Sequence, residues 1–169
     1  MTSIIEKAKK AFIDNVNNYK KDPFGLVRHV HIMEKWAHHL TKKYSKADKE
    51  VILLAVWLHD IGHYPIIEGS DHAVLSEEKA KNILEKENYP KEKLSKVLHC
   101  VRAHRWKDVL PESIEAKIIA CIDSASNMTD YMYFDIAMAD KNREKYFGAL
   151  GKIDRDLRDM ADFPEIQEE

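Results

Sequence analysis

The chain has 169 residues, with 27 Lys and Arg against 29 Asp and Glu. That length suits one domain with a substantial core, and the near balance of charge argues against a nucleic-acid footprint or a membrane-seeking surface. The only two cysteines, Cys100 and Cys121, lie far apart in apolar helical patterns and suit a reduced, cytoplasmic protein rather than a disulfide framework.

The first residues lack the apolar core of a signal peptide, and no apolar stretch is long enough to span a bilayer. The first helix is expected over residues 3–20, with Ile5, Ala8, Phe12, Val16 and Tyr19 on one stripe. Asp22-Pro23 reads as an N-cap followed by proline at the first helical position, and predicts a second helix to about residue 44. Ser45-Lys46-Ala47-Asp48 resembles a capping box and opens a third helix that ends at His59-Asp60. The apolar run over residues 51–58 fits a buried strand when taken alone. Its charged lead-in and its Leu and Ala content favour a helix buried on all sides. Asp71 caps a fourth helix to about residue 87, Pro90 starts a fifth to about 106, and Pro111 starts a sixth to about 127. Residues 131–163 are expected to hold two more, with a break near Asp140. No strand pair, repeat, low-complexity tract or linker is evident. The expected fold is all-α, a single domain over residues 1–169, with roughly six to eight helices.

One stretch does not read as plain bundle. His59 and Asp60 stand side by side where the apolar run ends, and Gly62 and Pro65 close the element. Both groups resist burial unless paired or bound to a metal. In the second helix, at about 100° per residue, Leu26, His29, Met33, Trp36, Ala37, Leu40 and Tyr44 share one side. His29 is thus either a core histidine with a satisfied ring or a ligand, while His31, His38 and His39 read as a solvated face. Asp123 lies inside an apolar helical pattern. Either it bonds a neighbouring hydroxyl or Arg, or it is a fourth ligand. Two His and two Asp from three helices suit a divalent first-row metal, Mn, Fe, Co or Zn, with Mg less well matched to imidazole.

The ordered set His29, His59-Asp60, Asp123 resembles the H…HD…D signature of the HD-domain metal-dependent phosphohydrolase superfamily. His29-x3-Met33-x3-Ala37-x2-Leu40 is similar to the family's first motif helix. Leu54-Ala55-Val56-Trp57-Leu58-His59-Asp60-Ile61-Gly62-His63 is similar to its central stretch, and Ile118 to Ala125 to its last. The resemblance covers residues 24–127. It implies an all-helical HD domain in which His29, His59, Asp60 and Asp123 hold a divalent cation, and a phosphate-ester substrate, nucleotides and cyclic nucleotides included.

Some HD subfamilies carry histidines in the two intervals where His72 and His104 stand, and use them for a second metal or for the substrate phosphate. His72 lies in the first turn of the fourth helix, where free N–H groups and the dipole favour a phosphate. His104 continues the apolar seam of Val97 and Val101 into Arg105. A carboxylate bridge from Asp60 would support a second metal, but no extra acidic ligand stands out beside these histidines, which favours phosphate binding by His72, His104 and Arg105. Arg28 and Arg102 are further cationic candidates. His63 either packs on Tyr64 or sits near the site, and His99 lies off the seam with no chemical role. The sequence has no G-x-S-x-G or P-loop.

The activity this implies is hydrolysis of a nucleotide or another small phosphorylated metabolite by metal-activated water, with Asp60, His72 and His104 as the catalytic set. Two alternatives stand beside it: a non-catalytic HD ligand-binding module, and a two-iron HD-fold oxygenase. The implied partner is a small phosphorylated substrate. Residues 131–163 shape the pocket or form a homodimer face.

Overall fold

A computed structural model describes residues 2–130 and 143–167. Among them every regular element is helical, in the order α1 (Ile4–Asn18), α2 (Leu26–Lys43), α3 (Lys49–Leu58), a 3₁₀ turn (Ile61–His63), α4 (His72–Lys86), α5 (Lys91–Ala103), α6 (Ile114–Thr129), α7 (Arg143–Asp159) and the short α8 (Pro164–Gln167). The all-α expectation is met. The break expected near Asp140 lies outside the described residues. No helix is long and apolar enough to cross a membrane among the described residues.

α3 is the axis of the bundle. Every residue from Val51 to Leu58 is buried, and α1, α2, α4, α5 and α6 all pack against it. A helix without a polar face has to be surrounded. Each large aliphatic side chain it buries stabilises the fold by roughly 1.5–3 kcal/mol. Phe12 of α1 meets Trp57 edge-on at 5.8 Å. The indole N–H of Trp57 donates to Glu34 at 3.2 Å, so its one polar atom is satisfied.

Helix starts depart from the sequence signals in three places. Asp22-Pro23 predicts a cap followed directly by helix. Instead the Gly25 N–H closes a turn on the Asp22 carbonyl at 3.1 Å, Gly25 takes φ 65°, and α2 begins at Leu26. Asp22 still caps, from farther back: its carboxylate accepts from the N–H groups of Leu26 and Val27 at 2.9 and 3.0 Å. Asp48, not Ser45, caps α3, accepting from Glu50 and Val51. Ser113, not Pro111, marks the start of α6, accepting from Ala116 at 3.1 Å. A capping oxygen has to reach a backbone N–H two or three residues on, and Ser45 and Pro111 stand too far out. Asp71 caps α4 as expected, through Ala73 N–H at 2.9 Å. α5 stops at Ala103 rather than near residue 106, because Trp106 takes φ 45° and turns the chain away.

Gly62 permits one contact on which the site depends. A Cβ there would lie 2.4 Å from both the His72 carbonyl oxygen and the Ser76 nitrogen. The Gly62 N–H donates to Ser76 Oγ at 2.8 Å. The 3₁₀ turn therefore meets the first turn of α4 backbone to backbone, which brings His72 beside Asp60. The turn is held from beneath by Asn15, which donates to the Ile61 and Tyr64 carbonyls at 3.0 and 3.3 Å, and by Lys79, which donates to the same two.

Candidate metal centre and its cavity

His29 from α2, His59 from the end of α3 and Asp123 from α6 converge on one point. His29 Nε2 lies 3.2 Å from His59 Nε2 and 3.0 Å from Asp123 Oδ1. Asp60 Oδ2 lies 3.3 Å from His59 Nε2 and 3.9 Å from His29 Nε2. Donors that share a first-row cation with bonds of about 2.1 Å stand roughly 3–3.5 Å from one another. The four atoms are already near that spacing.

The ring orientations are set from behind. His59 Nδ1 is 2.9 Å from the Val56 carbonyl, which only accepts, so the proton sits on Nδ1. Ser126 Oγ gives its own proton to the Asp123 carbonyl at 2.7 Å and so accepts from His29 Nδ1 at 2.9 Å. Both rings thus present Nε2 lone pairs to the same place, the arrangement that anchors a metal-binding imidazole. Lone pairs facing each other repel unless a cation or a proton stands between them. Without a metal the proton does so: burial pulls the His59 pKa down, but Asp60 and Asp123 outweigh it and push it up to about 9. Burial opposes ionisation of Asp123 and Asp60 too. The bond and charge of His29 hold Asp123 well below the usual carboxylate range, and His59, then His63, do the same for Asp60.

Asp60 Oδ1 faces a different group. It lies 3.5 Å from His63 Nε2, 3.5 Å from His72 Nε2 and 3.6 Å from His104 Nε2. His72 and His104 present Nε2 atoms 3.4 Å apart. His104 Nδ1 is tied to the Val101 carbonyl at 2.7 Å, leaving its Nε2 lone pair free. Burial, above all, depresses the pKa of His72 to about 4 and lowers that of His104, so both rings are neutral at pH 7. Asp60 Oδ1 is itself buried and has no hydrogen bond. A buried carboxylate oxygen with no hydrogen bond, facing the neutral rings of His72 and His104, suits a cation. Asp60, His72 and His104 form a second group with metal-ligand spacing. His63, which the sequence leaves open, belongs beside it, its ring stacked on His72 at 3.9 Å.

The model of the HD domain family matches residues 26–128. This chain belongs to the HD-domain family. The matched span contains every member of both clusters and leaves out α1 and α7. Membership points to the metal-dependent phosphohydrolase superfamily, and the His and Asp clusters carry a donor set for divalent metal. No curated protein and no solved structure matches the chain.

A cavity of about 1080 Å³ opens over both clusters of the HD domain. Its wall carries Arg28, Arg105 and Lys107, and α7 adds Lys152 and Arg155. Arg105 is oriented by Asp71 at 2.6 Å, and its Nε is buried without a partner. Arg28 pairs with Asp130 at 2.8 Å. Arg102 is absent from that wall: it pairs with Asp108 and approaches Glu77 at 3.7 Å, so this candidate falls away. His31 and His38 are exposed and His39 is half-buried. His99 accepts from the Glu112 N–H at 3.1 Å and pins the segment before α6.

Of the two roles the sequence leaves open for residues 131–163, α7 fills the first: it lines the cavity. Ser124, next to Asp123, lies 3.2 Å from Asp159 and 3.4 Å from Asp156, and Lys152 reaches both Asp156 oxygens at 3.0 Å. Burial first, then Asp156 and Asp123, raise the pKa of Asp159 to about 6. The role of Ser126 behind His29 is not legible in the sequence, since a Ser near a helix end carries no distinctive signal.

Proposed function

We propose that this HD domain is a metal-dependent phosphohydrolase that cleaves the phosphate ester of a nucleotide or another small phosphorylated metabolite. The supporting observation is the division of Asp60, with one oxygen among His29, His59 and Asp123 and the other, unbonded, among His63, His72 and His104. It supports one cation held by His29, His59, Asp60 and Asp123, and a second held by Asp60, His72 and His104. The Asp60 bridge that the sequence leaves open is supported by Oδ1 at 3.5 and 3.6 Å from His72 and His104. The weight therefore moves from phosphate binding by these histidines to a second cation.

When bound, such cations supply Lewis acidity and lower the pKa of water towards neutrality. The chain does the rest. Val56, Val101 and Ser126 hold three imidazoles with Nε2 inward. Phosphoryl transfer builds charge on equatorial oxygens, and Arg105, steadied by Asp71, offers its unpartnered Nε to that charge. Lys107 and Arg155 add positive potential to the cavity wall.

The test is inorganic phosphate release from a panel of nucleotides and sugar phosphates by protein loaded with Mn²⁺ or Fe²⁺. We expect release from at least one, lost in Asp60→Asn. Stoichiometric metal with no release from any compound overturns the reading. The carboxylate-bridged layout also favours a second reading, the two-iron oxygenase, which oxygen consumption by the iron-loaded protein would put first. The binding module fits less well, because no position of the donor set is eroded.

A further inference from the structure

Lys79 belongs to neither cluster and does not line the cavity. Its ammonium group donates to Asn15 Oδ1 and the Ile61 carbonyl, each at 3.3 Å, and to the Tyr64 carbonyl. These three partners are neutral oxygens, and burial lowers the Lys79 pKa. Setting a charge there rather than in water has a cost. Three charge-assisted bonds offset it, each roughly twice as strong as a neutral one. Asn15 completes the cage. Its NH₂ donates to the same two carbonyls at 3.0 and 3.3 Å while its oxygen accepts from Lys79.

The cage matters because of the peptide it holds. The Ile61 carbonyl and the Gly62 N–H belong to one trans peptide unit, so they point in opposite directions. The carbonyl meets Lys79 at 3.3 Å, and the N–H meets Ser76 Oγ at 2.8 Å. α4 therefore grips this one peptide at both ends, and the peptide cannot rotate while both bonds hold. Asp60 stands just before it and His63 just after. On α4, His72, Ser76 and Lys79 stand at i, i+4 and i+7, along one stripe of the helix. The stripe that carries a donor of the second cluster thus carries both clamps as well.

We infer that Lys79 is a positioning residue for the second cluster, its charge fixing the Ile61–Gly62 peptide and so the 3.5 Å approach of Asp60 Oδ1 to His72. The inference rests on the proposed two-cation reading for what the cluster binds, and not for the hold itself.

The test is amide hydrogen exchange at Gly62 in the metal-free full chain, for the wild type, Lys79→Met and Lys79→Ala. Met keeps the length of the side chain without its charge, and Ala leaves room for a small cation; melting curves check that both variants fold. Exchange at Gly62 should be about tenfold or more faster in both, the scale of one hydrogen bond to a charged group, with the amides of α3 unchanged. Methylammonium should restore the wild-type rate in Lys79→Ala but not in Lys79→Met. Tetramethylammonium, which has no N–H to donate, should restore neither. Both variants should then bind the second equivalent of Mn²⁺ about 10–100-fold more weakly, the usual effect of losing a group behind a ligand, and the first as before. Wild-type exchange at Gly62 in both variants, a loss that methylammonium does not reverse, or a second equivalent bound as tightly as in the wild type overturns the inference. A wild type that holds only one equivalent counts instead against the two-cation reading, and exchange and its rescue still decide the role of Lys79.

Discussion

The two clusters share Asp60 but are built in different ways. His29, His59 and Asp123 come from α2, α3 and α6, the helices that form the core, and His59 is fully buried. Moving any of them means moving one core helix against another. The second cluster is made of ends: His63 in the 3₁₀ turn, His72 opening α4, and His104 as the C-cap of α5. Its geometry depends on a turn resting against a helix start, with Gly62 at the contact. The first cluster is a by-product of core packing. The second is set by where those ends meet.

The strongest way to break this contrast is at the shared residue. Asp60→Ala should remove both metal equivalents in elemental analysis and reduce phosphate release to background. A variant that keeps one full equivalent would show that Asp60 does not serve both clusters. Metal at 100 times its Kd stabilises a fold by about 2.7 kcal/mol, so chelator should lower the melting temperature of the wild type and leave that of the variant where it was.

Gly62→Ala sharpens the comparison. The added methyl has no room against two backbone atoms, and overpacking of this kind costs roughly 1–3 kcal/mol. α4 should shift, and the second equivalent should be lost while the first stays. Equal loss of both would mean that the clusters are one unit. Ser126→Ala touches only the first cluster, through His29. Loss of a partner behind a ligand typically weakens metal affinity about 10–100-fold. A titration of apo protein should show that drop for one site only.

The smallest effect concerns Asp159. Its folded pKa, about 6, lies above the ordinary value of an aspartate side chain. The folded state therefore holds this proton more tightly than the unfolded one, and stability falls as pH rises from about 4 through 6. Asp159→Asn should match the wild type near pH 4. At pH 7.5 it should be more stable by about 1 kcal/mol, a figure discounted because the group is only half-buried. Asp123 is one source of the shift, so a cation in the first cluster should narrow the gap. Melting curves with an unchanged gap after metal loading would uncouple α7 from that cluster.

Much of this was legible in the sequence. An eight-residue apolar run with no polar face implied a helix surrounded by others, and α3 is that helix. Spacing put His29 inward and His31 outward, and burial agrees. What spacing cannot carry is the relation between helices. It left open whether Asp60 bridges towards His72 and His104, because the direction of each carboxylate oxygen depends on where α4 and α5 end. It read Gly62 as a breaker, while the close approach to α4 needs the partner backbone in view. It left residues 131–163 between pocket wall and dimer face, because the phase of α7 against α6 is tertiary information.

The division of Asp60 also has a consequence for charge. Two divalent cations would bring four positive charges to a place where Asp60 and Asp123 carry two negative ones. On the proposed two-cation reading, a cation held by one oxygen of Asp60 would make the other a poorer ligand and place a like charge nearby. An anion in the cavity would relieve both. Because such coupling is reciprocal, a second cation and an anionic ligand would then raise each other's affinity by the same factor, and an empty cavity would hold the second cation weakly.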